Sequence, residues 1–216
     1  MNLSKRTSKY FLCLSLVLVL SLNAKPALSV NSKNMRPQLS LKQRVVEHQI
    51  DYISRIIQTH NKKQTSPREL AKVIVRVSNE LNIDPLLTTA IIKAESTFKP
   101  YAKSNKGAMG LMQLMPGTGK YVSQIMNTNW QGIYRLHDME YNIRLGVRYY
   151  KYLMERFHGN QVFALIAYNW GPTNTARAYK GGSNIPRTST RYASNVSENT
   201  AAWREDYAKE FQKLFT

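Results

Sequence analysis

Glu95 is the carboxylic acid whose neighbours could make it do chemistry, in the stretch AIIKAESTFKPYAKSNKGAMGLMQLMP from Ala90 to Pro116. Asp84-Pro85 opens a helix, with Asp as N-cap and Pro at the first helical position. Leu87, Ile91, Ala94 and Phe98 recur at helical spacing and form an apolar stripe. Glu95 lies eight residues after Leu87 and four after Ile91, so its carboxyl falls on the border of that stripe. A carboxyl half-sunk in apolar surface resists ionisation and its pKa rises. That is the state a general acid needs near neutral pH. Pro100 ends the helix just beyond, where Glu95 can face a cleft. The run Gly107-Ala108-Met109-Gly110-Leu111-Met112-Gln113 then makes a tight hairpin or loop beside the helix end. Its glycines let a flat ring approach the main chain. Met112 and Gln113 add an apolar face and an amide, a mixture suited to a ligand that is both apolar and hydrogen-bonding. Met109 and Met115 are expected to fill core gaps.

For an arbitrary Glu the plainer reading is an edge-of-helix carboxylate paired with Lys or Arg. Three motifs in order argue otherwise: Glu95-Ser96, then SNKGAMGLMQLMP, then Ala167-Tyr168-Asn169-Trp170-Gly171-Pro172. Together they resemble the lytic transglycosylase family with the soluble-lytic-transglycosylase catalytic domain. These are relatives of goose-type lysozyme that cut the glycan strands of peptidoglycan. The resemblance covers roughly residues 68–196.

The resemblance implies a mostly α (α+β lysozyme-like) domain, helical with a small β-hairpin beside the active-site cleft. It implies Glu95 as the catalytic acid. Ser96, Gly110, Leu111, Met112, Gln113, Tyr168, Asn169 and Tyr192 become the substrate-binding candidates. Tyr168 would orient or polarise around Glu95, and Asn169 would support the cleft. Family members commonly have a small residue where this chain has Trp170, which either stacks on a sugar or belongs to the core. Tyr192 falls on the Tyr of a later family segment, where Thr188 stands in place of a Glu. The implied reaction cleaves the bond between N-acetylmuramic acid and N-acetylglucosamine and leaves a 1,6-anhydromuramic end. It needs no metal or cofactor. His48, His60, His137 and His158 are scattered and show no ligand spacing.

A scaffold must hold these residues. Leu41–Thr59 reads as an amphipathic helix of irregular spacing. Ser66-Pro67-Arg68-Glu69 reads as a helix start with a capping box. Leu70, Val73, Ile74, Val77 and Leu81 form that helix's buried face. Pro116 opens another helix, with Tyr121, Val122, Ile125 and Met126 as its expected inner face. Asp138 caps a long helix that runs through Asn142, Leu145, Tyr149 and Phe157 to Gly159. Lys180–Asn184 is expected as a loop at the cleft rim, and Ala201–Phe215 as an amphipathic helix docked on the domain. Asp84 and Asp138 as caps, and Glu140 in a first turn, have structural explanations. A glycosidase normally uses two carboxylates. One acid without a partner fits chemistry assisted by the substrate's own acetamido group.

At the front, Lys5, Arg6 and Lys9 precede the apolar run Tyr10–Leu22, which is too short for a comfortable membrane span. Residues 1–29 read as a signal peptide cut after Ala24 or Ser29, with an uncleaved anchor as runner-up. Residues 30–65 read as a basic leader and N-terminal helix, and 66–216 as the catalytic domain. Cys13, the only cysteine, lies inside the apolar run, which excludes thiol chemistry in the mature protein. The 31 Lys and Arg against 13 Asp and Glu give a net charge of +18. On an exported chain this suits an anionic envelope, and no nucleic-acid motif is present. The expected partners are peptidoglycan glycan strands and a secretion or conjugation machine, with membrane contact only if the signal stays uncleaved. The rival readings are a hydrolytic muramidase and a non-catalytic wall-binding assembly protein.

Overall fold

The computed structural model describes residues 40–213. The expected signal segment, most of the leader and Cys13 lie outside the described residues. Helix α1 (Leu41–His60) begins at a capping box: Ser40 accepts from the Gln43 amide, and the Gln43 side chain accepts from the Ser40 amide. It buries Ile50, Tyr52, Ile53, Ile56 and Ile57 and packs on α2 (Pro67–Glu80). The capping box expected at the start of α2 is not made. Ser66 forms no side-chain cap, and Glu69 instead accepts from Lys72 at 2.8 Å.

Helix α3 (Pro85–Ser96) starts as expected, with the Asp84 carboxylate accepting from the Leu86 amide at 2.8 Å. Its burial is broader than a stripe. Every residue from Pro85 to Ile92 is buried, and Ala94, expected inside, is exposed. A helix enclosed on most sides shows little amphipathic signal. It stops before Pro100, because Thr97 and Phe98 both take left-handed conformations (φ 50° and 58°).

The Gly-rich segment is a coil of turns. The expected β-hairpin is reduced to two isolated antiparallel bridges, Lys103 with Met109 and Met109 with Leu114. Gly107, Gly110 and Gln113 all have positive φ, and these reversals leave no run long enough for a ladder. Helix α4 (Pro116–Ile125) follows and buries Gly119, Val122 and Ser123. Tyr121 and Ile125, expected on its inner face, are 43% and 46% exposed. A short 3₁₀ turn (Ile133–His137) leads to α5 (Met139–Arg156), which Asp138 caps by accepting from the Tyr141 amide at 2.8 Å. Glu140 in its first turn binds both guanidinium nitrogens of Arg76 and one of Arg144, which holds its pKa down at about 2.

Helix α6 (Gln161–Trp170) buries Ala164, Leu165, Ile166 and Ala167. Helix α7 (Pro172–Tyr179) follows directly. The C-terminal helix expected over Ala201–Phe215 is the second half of a longer one, the 26-residue α8 (Arg187–Gln212), and Leu214 and Phe215 lie outside the described residues. The first half of α8 packs on α3 and α6. Its second half reaches α1, where the Tyr52 hydroxyl lies 3.1 Å from the Trp203 carbonyl and 3.0 Å from the Asp206 carboxylate.

One side chain ties the Gly-rich coil to this scaffold. Asn142 on α5 is fully buried and makes three hydrogen bonds. Its amide nitrogen donates to the Leu136 and Met109 carbonyls at 2.8 and 3.0 Å. Its oxygen accepts from the Met112 amide at 2.8 Å. A Cβ on Gly110 would stand 2.2 Å from the Leu136 oxygen and 2.3 Å from the Asn142 nitrogen, so only glycine admits the clamp. We expect Asn142→Leu to leave the buried Met112 N–H and the Leu136 carbonyl unpaired and to cost about 2–5 kcal/mol of stability. Urea unfolding should show this as a lower midpoint at an unchanged slope.

Candidate active site

Three helices converge on the candidate acid. Glu95 is the penultimate residue of α3, Tyr168 lies near the end of α6, and Tyr192 lies in the second turn of α8. Glu95 has no ion pair among the described residues. Lys93, the cation nearest to it on α3, instead donates to Asn199 at 2.7 Å and sits over the Trp203 ring. Burial pushes the Glu95 carboxyl up to about 7, and the neighbouring Tyr192 hydroxyl pulls back against this. The C-terminal end of α3, negative in potential, acts in the same direction as burial. Burial also drives both tyrosine hydroxyls well above the ordinary phenol range, and the Glu95 charge adds to it. All three groups are therefore neutral and protonated around pH 6.

The two tyrosines are held differently. Tyr168 donates to the Met112 carbonyl at 2.9 Å, so it is fastened to the Gly-rich coil. The Tyr192 hydroxyl is buried and influences Glu95, yet it makes no hydrogen bond of ordinary geometry. It is held beside the carboxyl, near enough to act on it.

Several expected substrate contacts have other work. Met112 and Leu111 are fully buried, and a Cβ on Gly146 would meet the Met112 sulfur at 2.3 Å. Met112 therefore offers a main-chain carbonyl to Tyr168 and no apolar face to a sugar. Gly110 faces Asn142, so its lack of a side chain serves packing. Ser96 is buried and bonds back to the Ile92 carbonyl at 3.1 Å. The Gln113 amide donates to the Ala102 and Gly110 carbonyls at 3.1 and 3.0 Å and braces the coil. Asn169 accepts from Ser189 on α8 at 2.9 Å. Asn142 and Ser189 were not singled out by the sequence reading. Asn142 carried a signal, as an amide in a helix face otherwise made of Ile143, Leu145, Gly146 and Tyr149, whereas Ser189 carried none.

A pocket of about 250 Å³ adjoins this cluster, lined in part by Gln113, Met115, Tyr149, Tyr168, Asn169 and Trp170. Trp170 thus has a face on the pocket. Met115, expected as core filler, is 42% exposed and lines the same pocket.

The chain belongs to the Transglycosylase SLT domain family, whose pattern it matches over residues 72–191. It is similar to the soluble lytic murein transglycosylase of Salmonella typhimurium, with 33% identity over 145 residues, 61% of this chain and 22% of that one. It is also 35% identical over 105 residues to the transglycosylase of Enterobacteria phage PRD1, covering 49% of this chain and 36% of that one. Its fold resembles that of lytic transglycosylase Slt from Pseudomonas aeruginosa, solved as an inactive mutant (TM-score 0.58, 24% identity, 76% of this chain and 30% of that one). The 70 kDa soluble lytic transglycosylase of Escherichia coli gives a TM-score of 0.56 at 24% identity, with the same coverage. The chain spans about a fifth of the length of the soluble lytic murein transglycosylases it matches.

The raised pKa is also a statement about stability. A carboxyl with a folded pKa near 7 and an unfolded value of 4.5 stabilises the fold below pH 4.5 and loses that contribution as pH rises through 7. Glu95→Gln removes the ionisation. The variant should match the wild type at pH 4.5 and exceed it by about 1–3 kcal/mol at pH 8. Thermal melts across that range check both the sign and the window.

Proposed function

We propose that this protein is a peptidoglycan lytic transglycosylase that cleaves the β-1,4 bond between N-acetylmuramic acid and N-acetylglucosamine. The observation that carries the reading is a lone, partly buried carboxyl, desolvated so that it is protonated near neutrality and flanked by two neutral tyrosines. Burial and the Tyr192 hydroxyl are the side-chain causes of its shift, and no second carboxylate is among them. The other acids that could have served, Asp84, Asp138 and Glu140, are engaged as caps or in arginine pairs. None of these three is therefore free to serve as the second carboxylate of a two-carboxylate mechanism.

In the proposed reaction the Glu95 carboxyl gives its proton to the glycosidic oxygen as the bond to C1 breaks. The acetamido oxygen of the muramic residue bonds to C1 and carries the positive charge as an oxazolinium ring. Glu95, now a carboxylate, takes the proton of the C6 hydroxyl. The freed O6 attacks C1 and expels the acetamido oxygen, which closes the 1,6-anhydro ring. One proton leaves Glu95 and one returns, and no water is consumed. Tyr192, whose hydroxyl lies beside Glu95, stabilises the carboxylate between the two steps, and Tyr168, whose one O–H goes to the Met112 carbonyl, holds the Gly-rich coil in place. On this reading the protein acts in the periplasm or outside the cell after loss of residues 1–29. Residues 66–216 form the catalytic domain, and the work is local wall opening for an envelope-spanning machine.

Digestion of purified peptidoglycan tests the reaction. The wild type should release muramic ends lighter by one water, and Glu95→Gln should release none. Reducing ends that depend on Glu95 would make the protein a hydrolytic muramidase. Binding without cleavage by either protein would make it a wall-binding protein. The protonated form of Glu95 is the active one, so kcat/KM should fall as pH rises through about 7. A flat profile from pH 6 to 9 would contradict its role as the acid.

A further inference from the structure

Two tyrosines that the reaction above does not use lie next to its pocket. Tyr149 lines the pocket and touches Tyr168, with ring centroids 5.4 Å apart. Tyr152 stacks near-parallel beyond Tyr149, at 6.4 Å and 17°. Tyr121 on α4 meets Tyr152 edge-on at 5.7 Å. The spacing explains the continuity. Thr118 and Tyr149 line the pocket from α4 and α5, and Tyr121 and Tyr152 follow each by three residues, about one helical turn. The pocket and this pair therefore form one run along the α4–α5 seam.

The outer end of the run is open. Tyr121 is 43% exposed, Ile125 one turn further is 46% exposed, and Tyr152 is partly exposed. Isolated exposed apolar residues need no explanation. Here they are contiguous, they continue the pocket, and Tyr121 and Ile125 occupy positions where helical periodicity called for core. The pair is also rigid: Arg156 donates to the Tyr152 hydroxyl at 3.1 Å, and each ring braces the next. Preformed aromatic surface rimmed with hydroxyls suits a sugar, whose C–H faces are apolar and whose edges are polar.

We infer that Tyr121 and Tyr152 form an additional sugar-binding subsite on the α4–α5 seam, which takes a ring of the glycan strand beyond the pocket at Tyr168. The inference rests on the glycan-strand reading above. It assigns Tyr121 and Tyr152 to strand length and leaves bond cleavage to Glu95. A strand too short to reach the seam is bound without them.

The test uses glycan strands of defined length, stripped of stem peptides, with the double variant Tyr121→Ala/Tyr152→Ala and the double variant Tyr121→Phe/Tyr152→Phe. For long strands the Ala variant should raise KM about tenfold with kcat unchanged, while KM for the shortest cleaved strand stays within about twofold. The Phe variant, which keeps the rings, should remain within about twofold of wild type on both. Equal KM for long strands, or an equal rise at every length, would overturn the subsite. A binding readout separates this from failure of the reaction itself. Long strands added to Glu95→Gln should perturb the ring NMR signals of Tyr121 and Tyr152, and the shortest should not. If the wild type cuts nothing but these perturbations are seen, the subsite stands and the enzyme reading falls. Unperturbed rings overturn the subsite whether or not the wild type cuts.

Discussion

The buried amide of Asn142 is the contact on which the site depends. Its oxygen holds the Met112 N–H, and the Met112 carbonyl in turn holds the Tyr168 hydroxyl beside Glu95. The Gly-rich coil has no strand ladder of its own, so its register relative to the helices comes from side-chain bonds like these. Two glycines make the arrangement possible: Gly110 lets Asn142 approach the main chain, and Gly146 makes room for the Met112 side chain. A methyl group at either position would push the coil off α5 and carry Tyr168 with it.

The acid obeys a second constraint. A carboxyl that must be protonated at neutral pH has to be placed where ionising it is costly, and the enclosed end of α3 supplies that environment. The three elements that surround Glu95 do not fold around it locally. α8 joins α3 and α6 by packing on both, and its Tyr192 lies 97 residues after Glu95 and 24 after Tyr168. The length of α8 matters here, because the same helix that presents Tyr192 and Ser189 to the site is anchored at its other end by Tyr52 of α1.

What could be read from the sequence was local. Asp84 with Pro85, and Asp138 ahead of its helix, are caps whose chemistry lies within three residues, and both formed. Glu95, Tyr168 and Tyr192 were singled out through motif resemblance, and the fold gathers them at one point. What depended on distant packing was not legible. Periodicity put Tyr121 and Ile125 inside, but they lie at the outer end of the α4–α5 seam, where Tyr121 meets Tyr152, and both Tyr121 and Ile125 stay exposed. Met112 looked like a sugar contact because a buried and an exposed methionine are identical in sequence, and only Gly146 on another helix decides between them.

The account depends on Glu95 being protonated near neutral pH because it is buried. The most direct measurement is a pH titration of the Glu95 side-chain carboxyl carbon by ¹³C NMR in the intact protein, assigned by its loss in Glu95→Gln. A midpoint near 7 is expected. A midpoint near the ordinary 4.5 would contradict it, since the group would then be a carboxylate at working pH with no proton to give.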